Sequence, residues 1–197
     1  MSAIKRPRMT EEEYLKAERA ADTKSEFYRG EVYAMAGASR FHNAVKDNLI
    51  TQLNLRLNPK GCRTYSSDMK VWSPLTRLYS YPDIVIVCGK PVFKDEHTDI
   101  LLNPKVIIEV LSPTTEKRDR IFKFKGYIAI DSVEEYLLVS QDEPFIERIV
   151  READGRWVMT PFDGLNKDFS LSSINATIPM SEIYRDVEFE VPAEPGP

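Results

Sequence analysis

The sequence predicts an α/β (α+β) fold in which a mixed sheet is flanked by helices. Three observations carry this expectation. Short runs rich in β-branched and aromatic residues recur along most of the 197 residues, and such runs form strands. One segment, His42 to Asn58, is periodic as a helix instead: Val45, Leu49, Leu53 and Leu57 recur every fourth residue, and Ile50 widens the stripe. The strand-like runs cluster around the two longer helices with no internal repeat and no linker, which suits layers packed on one core. A chain of this length buries about 70% of its unfolded surface. A single domain over residues 10–187 is therefore expected, with tails at 1–9 and 188–197.

Each element has a local reason. Thr10 and Glu13 have the spacing of a capping box, and Glu11, Glu12 and Glu13 suit the positive end of a helix dipole, so residues 10–20 read as a helix. Residues 26–37 read as a hairpin turning near Arg29 and Gly30. Ser39 is placed to cap the long amphipathic helix, and Asn58-Pro59-Lys60-Gly61 to stop it. Residues 62–72 read as one strand, 79–87 as a second, and Val106 to Leu111 as a third, ended by Ser112-Pro113. A basic helix over 116–130 follows, then a strand from Glu135 to Ser140 and a hairpin turning at Asp154-Gly155. Residues 171–185 read as an irregular closing segment.

Composition bounds the function. Hydrophobic residues make up 42% and charged residues 29% of the chain, which argues for a globular protein and against disorder. No apolar run approaches the roughly 20 residues that span a bilayer, and the N-terminus lacks the apolar stretch of a secretory signal, so no membrane association is expected. Cys62 and Cys88 have neither CxxC spacing nor a His or Cys cluster around them, and a reducing, cytoplasmic setting is the expectation. The formal net charge of −4 excludes a broadly basic surface as a nucleic-acid footprint. It leaves room for a phosphate-directed enzyme built on a metal ion and a local basic segment.

The residues that point to chemistry are Asp83, after Pro82, and Glu109, inside the apolar run Val106–Leu111. A carboxylate in an apolar strand is costly to bury unless it is paired, hydrogen-bonded or metal-bound. Each alone reads as a strand-end cap or a buried salt bridge. Together, on neighbouring strands, they could offer oxygens to one Mg²⁺ or Mn²⁺, hard ions that keep several waters. In the following helix, Asp119, Lys123 and Tyr127 are four apart and share a face. Lys117, Arg118, Arg120, Lys123 and Lys125 make the segment basic, mostly as a solvated face with i,i+4 pairs. Lys123 is the exception, placed to lean toward the carboxylates and stabilise phosphoryl charge. Glu31, after a turn glycine, is either a third carboxylate or a solvent-facing hairpin residue. His42, at a helix start, is either structural or part of the site. Asp68 either lies at the active edge or pairs with a lysine. Tyr127, Trp72 and Trp157 read as packing, and His97 is assigned nothing.

At these residues the chain resembles a known family. Tyr81-Pro82-Asp83, the strand holding Glu109 and ending at Ser112-Pro113, and then Asp119-Arg120 and Lys123 resemble the PD-(D/E)xK nuclease superfamily. More narrowly, residues 30–39 with His42-Asn43, then Ser67-Asp68-Met69, Glu135-Tyr136 and Glu182-Ile183-Tyr184 are similar to the Uma-type restriction endonuclease family, over about residues 14–187. The superfamily's lysine position, two after Glu109, holds Leu111 here, and the resemblance implies that the lysine has moved to the helix as Lys123. It implies a restriction-endonuclease-like fold with additional strands at both ends. It also implies Mg²⁺-dependent hydrolysis of DNA, with Mn²⁺ as an alternative ion. Asp83, Glu109 and the Val110 carbonyl would hold the metal. Lys123 would orient water or stabilise the transition state, supported by Glu31 and His42, while Lys117, Arg120 and Lys125 would meet the nucleic acid. A homodimer would match a two-fold duplex. Two other readings remain: a degenerate nuclease fold serving as a binding module, and a phosphatase acting on a small phosphate.

Overall fold

The computed structural model describes residues 8–35 and 37–189. The expected tails lie outside these residues except at their inner ends, which belong to the body. The Met9 N–H donates to the Gly30 carbonyl, and Phe189 packs on Tyr184.

Helix α1 (Glu11–Ala20) starts as its capping box predicts: Thr10 Oγ1 accepts from the Glu13 N–H at 3.2 Å, and the Glu13 carboxylate accepts from the Thr10 N–H at 2.8 Å. Strands β1 (Ser25–Tyr28) and β2 (Glu31–Ala34) form the expected hairpin. Arg29 and Gly30 both take positive φ, +50° and +92°, the pairing that a two-residue turn of type I′ requires. Helix α2 (Arg40–Leu57) is capped by Ser39, whose hydroxyl accepts from the His42 N–H at 3.0 Å. Its stripe of Val45, Leu49, Leu53 and Leu57 is wholly buried, worth about 1.5–3 kcal/mol per side chain.

Two expected strands are each two. Residues 62–72 divide into β3 (Cys62–Ser66) and β4 (Lys70–Ser73), split by a turn in which the Met69 N–H donates to the Ser66 carbonyl. Residues 79–87 divide into β5 (Leu78–Ser80) and β6 (Ile84–Cys88). Pro82 has no N–H for a ladder, and there the chain leaves one sheet and enters the other. Strands β7 (Ile100–Leu101) and β8 (Val106–Leu111) follow. The basic helix is shorter than expected and runs through α3 (Glu116–Arg118), a π-helical turn (Asp119–Lys123) and α4 (Phe124–Tyr127). Strands β9 (Glu135–Ser140), β10 (Phe145–Arg151) and β11 (Trp157–Asp163) come next. The closing segment, expected to be irregular, is ordered as the hairpin β12 (Asp168–Leu171) and β13 (Ala176–Pro179) with helix α5 (Met180–Ile183).

The large sheet has the order β11-β10-β9-β8-β6-β3, and the smaller one β2-β1-β5-β4-β7. Both are mixed: β8 pairs parallel with β9, and β4 with β7. A parallel pair needs a crossover, and the β8–β9 crossover carries α3, the π turn and α4. Strand alternation divides the core. Ile84, Ile86, Val106, Ile108, Val110, Leu137 and Val139 pack on the α2 stripe and on β12, β13 and α5. Val85, Val87, Ile107, Leu111, Tyr136 and Leu138 pack on the other face with Tyr127 and with Val71 and Leu78 of the smaller sheet.

Cys62 and Cys88 are directly opposite in the β3–β6 register, with Cα atoms 4.0 Å apart, and form a disulfide. Linear spacing hides a pair that register creates. Among the described residues no helix is long and apolar enough to cross a membrane.

Candidate active site

The β6–β8 register pairs Ile84 with Ile108, and one step further it sets Asp83 beside Glu109. Like charges directly opposite are unfavourable in a sheet, so the pair needs compensation. Asp83 Oδ2 accepts the Val110 N–H at 2.8 Å and lies 3.1 Å from His42 Nε2, in the first turn of α2. Glu109, only 2% exposed, takes two donors on Oε1: Lys123 Nζ at 3.0 Å and the Tyr127 hydroxyl at 2.8 Å. Its Oε2 has only a long 3.4 Å contact, with the Asp83 N–H. Among the described residues no hydrogen bond reaches Asp83 Oδ1. One oxygen of each carboxylate is thus left little used, on neighbouring strands.

The predicted inward face of Asp119, Lys123 and Tyr127 is present, and all three are buried. The π turn is the device that builds it. A π-helical insertion is rare and concentrates at functional sites; here it brings Asp119 Oδ1 to 3.1 Å from Lys123 Nζ while Tyr127 reaches Glu109. A third carboxylate also meets the ammonium, Glu26 Oε1 at 3.1 Å. An ammonium has three donors, and three carboxylates surround this one. Glu26 Oε2 lies 2.9 Å from Arg118 Nη2, which joins the cluster to the outer side of α3.

Burial pushes the Glu109 carboxyl well above the usual range, against the pull of Lys123. It raises Asp119 as well. Burial would lower Lys123, but Glu109, Glu26 and Asp119 outweigh it and hold the ammonium firmly protonated. Burial, reinforced by Glu109, holds the Tyr127 hydroxyl protonated and therefore a donor.

The other expected residues are placed as follows. Asp83, Glu109, Lys123 and His42 come together. Glu31 does not join them: it is exposed on edge strand β2 and accepts from the Tyr33 hydroxyl at 2.7 Å. The third carboxylate is Glu26 instead. What is seen of Val110 is its N–H, which donates to Asp83. Lys117 and Lys125 are exposed. Arg120 is engaged by Glu116 at 2.7 Å and by Glu147, so its charge is spent within the protein. Asp68 pairs with Lys24 at 2.8 Å, away from the cluster. Glu26 escaped the sequence reading because its four-residue strand reads as the entry to a hairpin. The rule that singled out Glu109, a carboxylate beside buried aromatic and apolar residues, would have found it. Tyr127 read as packing because its partners come from β8 and β5: its hydroxyl also lies 2.9 Å from the Ser80 hydroxyl.

Among the described residues no cluster of three or more His, Cys, Asp or Glu side chains is arranged to hold a metal. Two carboxylates with spare oxygens, and the rest of the shell left to water, is the donor set that Mg²⁺ accepts. Charge agrees: Glu26, Asp83, Glu109 and Asp119 bring four negative charges when ionised, and Lys123 and Arg118 return two.

The profile of the Uma2 family, described as "Putative restriction endonuclease", matches residues 11–181. The chain is 35% identical over 164 residues to the "Uncharacterized protein sll1609" of Synechocystis, covering 83% of this chain and 93% of that protein. It is 32% identical over 183 residues to "Uncharacterized protein slr1290" of the same organism, covering 93% and 95%. A crystal structure of a "putative nuclease belonging to DUF820" from Anabaena variabilis shares the fold, with a TM-score of 0.70, 18% identity, and coverage of 89% of this chain and 97% of that one.

Proposed function

The chain belongs to the Uma2 family of restriction-endonuclease-like proteins, and from that premise we propose that it is a metal-dependent endonuclease hydrolysing DNA phosphodiester bonds at the Asp83–Glu109 pair. The observation that carries this reading is the like-charged cross-strand pair itself. It is unfavourable for folding, it is held through one oxygen of each carboxylate, and each carboxylate keeps its other oxygen little used.

Mg²⁺, or Mn²⁺ in its place, would be held by Asp83 and Glu109, with the Val110 carbonyl at the same strand end; when bound, it lowers the pKa of a water and draws charge from the phosphate. The protein's own groups prepare that site. The Val110 N–H and His42 fix one oxygen of Asp83. Lys123 and Tyr127 fix one oxygen of Glu109. With Glu26, Glu109 and Asp119 around its ammonium, Lys123 acts here as a positioning residue that aims Glu109 and opposes the upward push of burial on its carboxyl. The exposed Lys117 and Lys125 would meet the backbone of the nucleic acid.

A second reading, a binding module without hydrolysis, draws on the same engagement of Lys123, which leaves no ammonium donor for a phosphate. One assay decides between them. Supercoiled plasmid and single-stranded DNA are incubated with the protein in Mg²⁺ and in Mn²⁺, beside Glu109→Ala. Nicking by the wild type that EDTA and Glu109→Ala both abolish supports the nuclease. DNA binding without nicking in either metal supports the module.

A further inference from the structure

Beside the carboxylate cluster lies a cleft of about 200 Å³ that the mechanism above does not use. One wall is the β1–β2 hairpin. Glu26 and Tyr28 are two apart on β1, and Tyr33 is directly across from Glu26, so alternation puts all three on one face. Glu26 turns inward to Lys123, while Tyr28 and Tyr33 line the cleft. The opposite wall is the first turn of the crossover helix and its π turn, with Lys117, Arg118 and Phe122. Phe122 is 46% exposed although it is a large apolar ring. It meets Tyr28 edge to face at 5.9 Å, and the Arg118 guanidinium covers Tyr33 at 4.1 Å.

We propose that this cleft is a subsite for one unpaired nucleobase of the strand being cut. The inference rests on the nuclease reading and narrows its substrate class. The cleft is smaller than the roughly 300–1,000 Å³ of drug-sized sites, which suits a single flat ring system and excludes a helix or a duplex. Its lining combines aromatic rings with the exposed Lys117 and with Arg118, which is already held by Glu26 and Tyr33, and contains no carboxylate; rings to stack a base and a free ammonium to attract its phosphate are the composition of a base-stacking site. Its Arg118 is bound to the same Glu26 that holds Lys123, so a base seated here belongs to a nucleotide close to the carboxylate pair. A base within a duplex cannot enter, so the substrate is single-stranded, frayed or has a base turned out of the stack.

The test is fluorescence anisotropy in Ca²⁺ with two labelled probes: a twelve-residue oligothymidylate and a twelve-residue abasic phosphate backbone. The wild type is expected to prefer the base-bearing strand by about 10-fold or more, the range of one stacked base. Phe122→Ala and Phe122→Leu, at an exposed position that does not threaten the fold, should both lose that preference and keep the affinity for the abasic backbone. Leucine restores apolar bulk but no ring, so its failure to rescue identifies stacking. Equal affinity of the wild type for both probes would overturn the subsite, as would a preference that survives both substitutions. A change in sedimentation on Phe122→Ala with the preference intact would also overturn it and mark the cleft as an interface between copies. Plasmid nicking in Mn²⁺, run in parallel, separates the two proposals: nicking without base preference removes only the subsite, and loss of both nicking and binding removes the nuclease reading as well.

Discussion

Lys123 shows how a single side chain can be read correctly for place and differently for role. Its spacing from Asp119 and Tyr127 puts it on the inward face, and there it is, 6% exposed. The substitution Lys123→Ala reads from sequence as a loss of rate with little cost to folding. The structure alters that expectation, because it would leave Glu26, Glu109 and Asp119 without the cation they share, with only Arg118 remaining on Glu26. Removing one partner of a buried ion cluster costs about 3–5 kcal/mol. Lys123→Ala should therefore unfold at a markedly lower urea midpoint as well as lose nicking. Lys125→Ala, exposed, should change stability by less than about 0.5 kcal/mol. Equal midpoints for the two variants would show that Lys123 is not the hub of the cluster.

Glu109 makes a prediction with a sign. Burial holds it and Asp119 above the values of about 4.3 and 3.9 that they have in an unfolded chain. Between those values and the folded ones, the native state binds more protons than the unfolded state. The metal-free protein should then gain stability as pH falls from neutral and lose it as pH rises through the folded pKa. Glu109→Gln should flatten that profile and raise the melting temperature at neutral pH while abolishing nicking. A lower melting temperature for the variant at neutral pH would contradict the account. Nicking, which needs Glu109 ionised, should fail on the acid side at a pH above the ordinary carboxylate range, and added metal should move that limit downward.

At the scale of elements, the crossover helix is what the site depends on, and Gly126 is what lets it sit where it does. A Cβ there would lie 2.5 Å from Leu78 Cδ2, closer than packing allows. Gly126→Ala should force the Leu78 side chain to repack and lower stability by overpacking, which costs about 1–3 kcal/mol, and nicking should fall with it only where α4 moves as well. The disulfide makes a contrasting prediction. It joins β3 to the end of β6 opposite Asp83, across a sequence separation of 26. Reduction or Cys88→Ser should cost about 3 kcal/mol, or roughly 6–12 °C in melting temperature for a chain of this size, with nicking unchanged below the transition. The elements that sequence reveals are those with an uninterrupted local pattern: the Thr10–Glu13 cap, the α2 stripe, and the strands carrying Glu109 and Glu135. What it conceals is set by partners distant in the chain. The breaks at 67–69 and at Pro82 divide apparent strands between two sheets, the Cys62–Cys88 pair exists only through register, and the π turn has no composition signal of its own.

For the whole molecule, a net charge of −4 means that the DNA of the proposed reaction would have to be met by a local basic segment rather than by a general field. Each chain brings one carboxylate pair, and cutting both strands of a duplex takes two, so a homodimer is the assembly we propose. Sedimentation equilibrium should give twice the chain mass at micromolar concentration; a monomer there would confine the protein to nicking or to single strands. The central claim is that Asp83 and Glu109 together form the metal site of a hydrolase. Isothermal titration of Mn²⁺ tests it most directly. One ion per chain should bind the wild type, and binding should be lost in both Asp83→Asn and Glu109→Gln, each shown by circular dichroism to be folded. Undiminished binding in either folded variant, or a wild type that binds no metal, would contradict it.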